Sequence, residues 1–197
     1  MPEFVAVRAL NGLGASPREI RTFITFLAAM DRARDADLLW RNGVALFRAA
    51  RWAFEPARCC KRSFADLRDA LSTTGVSQRH GPDSAAWRLI AEALTDNACP
   101  PAVRRAIDAG IGDAKELLEA ARAPRATGHP WFPFLSGPKI SEMWVRILAV
   151  PGAAHITGLN ILNVAVDVQV RKVTEYLGVT DTGKRELEDI RSTIQEA

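Results

Sequence analysis

One lysine and one aspartate stand in settings where their chemistry could matter. Lys139 lies in "FPFLSGPKISEMWVRILAV", residues 132–150, the most aromatic part of the chain. It follows Gly137-Pro138 and heads an apolar run, which places it in the first turn of a helix. Unpaired backbone N–H groups at a helix start attract anions, and a phosphate is the natural one. A lysine at that positive end of the helix dipole is held less favourably as a cation. Partial burial by Trp131, Phe132 and Phe134 is expected to add desolvation. Both effects favour the neutral amine that a nucleophilic lysine requires. Asp167, in "VDVQV", is the only charged residue between Leu159 and Gln169. A carboxylate in such a run is costly unless it caps a helix, pairs or acts. Taken singly, each residue has a plainer explanation: a solvated lysine on a helix start, and an aspartate N-cap. Their occurrence in this order, each in its own frame, gives them weight as a pair.

Other residues offer less. Trp131, Phe132 and Phe134 can line a pocket for a planar base or pack beneath a loop. Gln78, Arg79 and His80 form a polar stretch that can reach a ligand or face solvent. Arg104, Arg105, Arg122 and Arg125 can line a phosphate track or decorate a surface. His129 and His155 have no partner at ligand spacing, so neither metal nor cofactor is expected. The three cysteines include an adjacent pair, Cys59 and Cys60, and a distant Cys99. They contain no C-x-x-C and too few thiols for a four-cysteine cluster.

The elements that must position these residues read as helices almost throughout. "SPREIRTFITFLAAMDRARD" opens with Ser16 as cap, Pro17 at the first helical position and Glu19 completing a capping box. Ile20, Phe23, Ile24 and Leu27 then repeat at helical spacing. A second helix runs through "DADLLWRNGVALFRAARWAF", with Leu39, Leu46, Phe47 and Ala50 inward. Trp40, Trp52 and Trp87 are also expected in the core. Ser63 caps a third helix that ends near Gly75. Residues 76–82 read as a loop, with the next helix beginning at Asp83 or Ser84. Two short helices, punctuated by Pro100, Pro101, Gly110 and Gly112, precede the Pro/Gly-broken "PRATGHPWFPF". After the helix carrying Lys139, "PGAAHITGLNILN" reads as a loop. Asp167 then starts a helix that stops before Gly178.

The 197 residues suffice for one domain, or for two small helical lobes sharing a cleft. A hydrophobic fraction of 48% excludes a disordered chain. The formal net charge of +3 is compatible with a nucleic-acid partner without requiring one. The first residues lack the long apolar core of a signal peptide, and no apolar run is long enough for a membrane span. A reducing, cytoplasmic setting is expected.

The two segments together resemble the helix-hairpin-helix DNA glycosylases, a superfamily that includes endonuclease III and the 8-oxoguanine glycosylases. Their hallmark is a hairpin L-P-G-h-G-x-K-x-A followed, after a helix, by V-D-x-x-V. Gly137-Pro138-Lys139-Ile140-Ser141 matches the second half of the hairpin, with Lys139 on the family's nucleophilic lysine. Val166-Asp167-Val168-Gln169-Val170 matches the second motif, with Asp167 on the essential aspartate. Arg171, Lys172 and Val173, then Tyr176, Leu177 and Gly178, are similar to the family's R-V…R-L-G ending. The likeness is specific over 131–178 and architectural over the N-terminal half. Leu135 replaces the first hairpin glycine, the Lys-to-Asp separation is longer than in the best-known members, and the four-cysteine cluster of endonuclease III is absent. The longer spacing resembles the divergent archaeal 8-oxoguanine glycosylases.

The resemblance implies an all-α protein with one glycosylase unit over 1–197. It implies two helical lobes, a helix-hairpin-helix motif and a DNA-binding cleft between the lobes. It implies duplex DNA with a damaged base as partner, an oxidised purine first, and a nucleoid-associated monomer without cofactor. Ser136, Gly137, Ile140 and Ser141 would hold the DNA, with Gln78, Arg79 and His80 entering the gap left by the flipped nucleotide. Trp131, Phe132 and Phe134 would line the base pocket. Lys139 would attack C1′ and form a Schiff base that permits strand cleavage, assisted by Asp167. The alternatives are a monofunctional glycosylase for alkylated or other bases, and a non-catalytic protein that keeps the hairpin as a phosphate clamp.

Overall fold

The computed structural model describes residues 1–32, 34–126, 128–163 and 176. The chain divides into a compact unit, Met1–Leu159, and a second, Asn160–Ala197. The first unit is helical. Its helices are α1 (Pro2–Gly12), α2 (Pro17–Met30), α3 (Ala36–Ala49), α4 (Pro56–Lys61) and α5 (Phe64–Thr73). They are followed by α6 (His80–Thr95), α7 (Pro101–Asp108), α8 (Ala114–Arg122) and α9 (Pro138–Ala149). A short 3-10 turn, Arg51–Phe54, links α3 to α4.

Local chemistry accounts for most of the starts. The Ser16 hydroxyl accepts the Glu19 N–H while the Glu19 carboxylate accepts the Ser16 N–H, so the expected capping box closes α2. Ser63 caps α5, Asp35 caps α3, and Asp113 accepts N–H groups of Lys115 and Glu116 to start α8. Arg21 is buried and donates to the carbonyls of Ile107 and Asp108, which places a cation on the exposed carbonyl end of α7.

The central helix is α2, buried from Ile20 to Met30. Phe23, Phe26, Phe47, Phe54, Trp40 and Trp87 form one aromatic cluster around it, with Phe26 stacked on Trp87 at 4.6 Å. Trp87 donates its indole N–H to the Ala53 carbonyl, so the buried polar edge is satisfied. Gly43 lets α3 lie close on α2: a Cβ there would come within 2.8 Å of Leu27 Cδ1. Trp40 and Trp87 are core as expected, whereas Trp52 is half-buried beneath the Arg62 guanidinium.

The remaining differences from the sequence expectation lie at the edges. Two helices, α1 and α4, were not anticipated. Helix α6 begins at His80 rather than at Asp83 or Ser84. Two short strands, β1 (Ile111–Asp113) and β2 (His155–Thr157), pair in parallel with Gly112 opposite Ile156. Three-residue strands carry no readable alternation: β2 lies in the stretch expected as a loop, and β1 at the junction of the two expected short helices.

Candidate functional site

Helices α2 and α9 lie antiparallel. The Trp144 indole N–H donates to Thr25 Oγ1 at 3.1 Å inside the core, and that hydroxyl in turn donates to the Arg21 carbonyl. Toward the end of α2 the Arg32 guanidinium sits 3.4 Å above the Phe134 ring, just ahead of α9. These two contacts bracket Asp31 and Lys139. At about 1.5 Å of rise per residue, both lie roughly 7–9 Å beyond the Thr25–Trp144 contact, in the same direction. The C-terminal end of α2 therefore meets the N-terminal end of α9, an electrostatically favourable pairing of helix ends.

Lys139 occupies the second position of α9, after Gly137 as N-cap and Pro138. Its side chain is exposed, so the burial expected from the neighbouring aromatics is not observed. Those aromatics are engaged elsewhere. Phe132 is fully buried in the core, Phe134 lies beneath Arg32, and Trp131 is half-buried beneath Arg125 at 4.8 Å. Phe134 adopts φ 71°, a left-handed conformation that is strained for a bulky residue and recurs at functional sites.

The start of α9 has no side-chain cap. A Cβ on Gly137 would meet nothing within 4 Å, so the approach to these N–H groups is open. Ser136 and Ile140 are half-buried beside it. Ser141 differs: it is fully buried, its N–H is bonded to the Gly137 carbonyl, and its hydroxyl lies between Arg122 and the Pro138 carbonyl. That leaves Ser141 no free group for a phosphate.

Asp31 is the carboxylate that sequence reasoning missed. It caps the end of α2 and is half-buried. Burial raises its pKa above the ordinary carboxylate value; Arg34 and Lys139 oppose the rise, Glu3 adds to it, and the Trp40 indole N–H lowers it. Beyond it lies a second unanticipated group. Asp83, in the first turn of α6, accepts three hydrogen bonds on one oxygen. The donors are the Ser77 hydroxyl at 3.2 Å and the N–H groups of Gln78 and Arg79, both at 2.9 Å. Arg34 reaches in from below, donating to the Val76 carbonyl at 2.5 Å and lying 3.9 Å from Asp83. The Arg34 and Asp83 side chains are only 4% and 7% exposed. Burial lowers the Arg34 pKa, and Asp83 and Asp31 offset that only in part.

Arg34 and Asp83 thus form a buried ion pair in the first unit. It braces the backbone of the Gln78–His80 stretch, whose side chains are exposed. The four arginines considered for a phosphate track are instead occupied. Arg104 donates to the Asp96 carbonyl, Arg105 pairs with Glu116, Arg122 bonds Ser141, and Arg125 bonds the Leu89 carbonyl. Burial pushes the Cys59 thiol up to about 12 and Cys99 to about 11, so neither supplies a thiolate near neutral pH. Among the described residues no group of three or more His, Cys, Asp or Glu side chains could hold a metal ion. Asp167 lies outside the described residues.

No protein-family model matches the sequence, and neither a curated protein nor a solved structure matches the chain. Among the described residues no helix is long and apolar enough to cross a membrane.

Proposed function

We propose that the chain is a DNA glycosylase of the helix-hairpin-helix kind, acting on a damaged base, first of all an oxidised purine. In this reading two helical lobes enclose the DNA-binding cleft, and Lys139 is the nucleophile. One observation carries the reading: Lys139 is exposed in the first turn of an uncapped helix opened by Gly137-Pro138.

The open N–H groups at the start of α9 suit a DNA phosphate, held without regard to sequence. The braced Gln78–His80 stretch suits the gap left by a nucleotide flipped out of the stack. Lys139 Nζ bonds to C1′ as the glycosidic C–N bond breaks, its electron pair leaving with the base. The sugar ring then opens to a Schiff base, and loss of a C2′ proton expels the 3′ phosphate. Asp167 stabilises the positive charge that develops on the sugar.

Borohydride trapping on duplexes carrying 8-oxoguanine, a fragmented purine or an alkylated base tests this. The expected result is a covalent adduct that disappears in Lys139→Ala. Gly137→Ala, which meets no atom, should fold normally and weaken DNA binding. Asp167→Asn should abolish base release with little loss of binding. The exposure of Lys139 favours one second reading, a monofunctional glycosylase in which water attacks C1′. Base release without trapping would establish it. Binding without release from any lesion would leave only the phosphate clamp.

A further inference from the structure

We infer that the groove between α1 and α3 is a docking site for another protein, and that its occupant is an acidic amphipathic helix. The inference goes beyond the proposed activity and does not rest on it.

Shape defines the site. Val5, Ala6 and Ala9 of α1 and Val44 and Ala45 of α3 line the floor of an open groove of about 480 Å³. Val5 is 70% exposed, and Leu38, two turns from Ala45 along α3, is 44% exposed. Scattered apolar side chains on a surface are ordinary, whereas apolar side chains gathered along a groove mark an interaction surface. Three of the five floor residues are alanines, so a helix laid in the groove can approach both walls closely.

Charge identifies the occupant. Arg41 and Arg48 line the groove from α3, and Arg8 is exposed one turn from Val5 on α1. Among the described residues none of the three has a hydrogen bond, an ion pair or a stacked ring. Other arginines of this unit are engaged: Arg18, Arg51 and Arg105 in ion pairs, and Arg32, Arg62 and Arg125 over aromatic rings. Among the described residues Asp37 is the one carboxylate lining the groove. The rim is therefore basic on balance, which repels a second copy of the same face and attracts an acidic partner. A phosphate backbone would satisfy the arginines but gain nothing from an apolar floor. A helix with an apolar face edged by carboxylates satisfies both. Spacing sets its register. Arg41 and Arg48 stand two turns apart on one face of α3, about 10 Å along its axis. Carboxylates two turns apart on the occupant reach both, and a cation one turn before them meets Asp37.

Fluorescence anisotropy on the full chain tests the inference. The probe is a labelled synthetic helix with leucines at i, i+3 and i+7 and glutamates two turns apart along the edge of that face. Its control carries lysines in place of the glutamates. The acidic probe should bind saturably, and the lysine probe at least roughly tenfold more weakly. Arg41→Glu with Arg48→Glu should reverse that preference. Both side chains are exposed, so the double variant should keep the wild-type melting temperature. Ala45→Trp fills the floor without changing charge and should weaken the acidic probe at least roughly tenfold. No saturable binding, equal binding of the two probes, or binding indifferent to both sets of substitutions overturns the inference. An undamaged duplex that displaces the acidic probe, and loses affinity in the double arginine variant, overturns it in favour of nucleic acid. A wild-type dimer in sedimentation that Ala45→Trp dissociates overturns it in favour of a second copy.

Discussion

Replacing Asp83 with alanine removes a single buried carboxylate and, with it, the anchorage of the 77–79 backbone. One oxygen accepts three hydrogen bonds, and its charge is the nearer of the two that compensate Arg34. Both side chains are almost wholly buried, so solvent does not replace what is lost. Removing one partner of a buried pair costs about 3–5 kcal/mol, because the other charge stays behind uncompensated. Against a total of roughly 5–15 kcal/mol for a domain, that is a large fraction. At about 2–4 °C per kcal/mol for a chain of this size, the melting temperature should fall by roughly 6–20 °C. Urea denaturation with an unchanged slope reads the global cost. Hydrogen exchange reads the local one, and the amides of Gln78 and Arg79 should lose protection first. Asp83→Asn keeps a neutral acceptor of the same size and should cost less, about 1–3 kcal/mol. Adding Arg34→Met to Asp83→Ala should recover part of the loss, since it removes the stranded cation. A cost below about 1 kcal/mol for Asp83→Ala would place it among ordinary surface changes and refute the reasoning.

Thr25→Val leaves the buried Trp144 indole N–H without its acceptor and should destabilise by about 1–3 kcal/mol. In a denaturation double-mutant cycle with Trp144→Phe, the pair should cost less than the sum of the singles; additivity would mean the hydrogen bond does not couple the helices. For Asp31 the expected sign is the opposite. Its pKa is raised in the folded state, so its stability penalty is absent below the ordinary carboxylate value and sets in as pH rises toward the raised one. Asp31→Asn should therefore melt above the wild type at neutral pH, with the gap closing in acid, as thermal unfolding across pH would record.

The helices that begin with their own chemistry were legible in the sequence. Ser16 with Glu19 and Ser63 with the following turn announce α2 and α5, and the Gly137-Pro138 start of α9 places Lys139 as expected. Helix α1 has a weaker signature: Met1 gives no side-chain cap, although Pro2 opens the helix and Glu3, Ala6, Val7 and Leu10 share its buried face. Asp31 was illegible for a different reason. "DRARD" reads as the polar end of the helix that Ser16 opens, whereas α2 stops at Met30, and nothing local states that the start of α9, more than a hundred residues away, lies near that end. Asp83 reads as a helix-starting residue because aspartates usually point forward into the turn they cap. Here the carboxylate turns back to gather N–H groups that precede its helix. The burial of Phe132 and Ser141 likewise depends on tertiary packing that single-sequence spacing does not encode.

The parallel pairing of Ile111–Asp113 with His155–Thr157 has a topological consequence. The backbone leaves this short ladder, passes through α8 and α9, and returns to the point of departure. Asp113 fastens the return, accepting the Thr157 hydroxyl at 2.9 Å with the same carboxyl group that starts α8. Everything between the two strands is thus a tied cassette. Residues added to or removed from the 123–137 connection change what the cassette carries while its two ends stay joined. A lineage, or an engineer, can vary the approach to Lys139 without reopening the rest of the bundle.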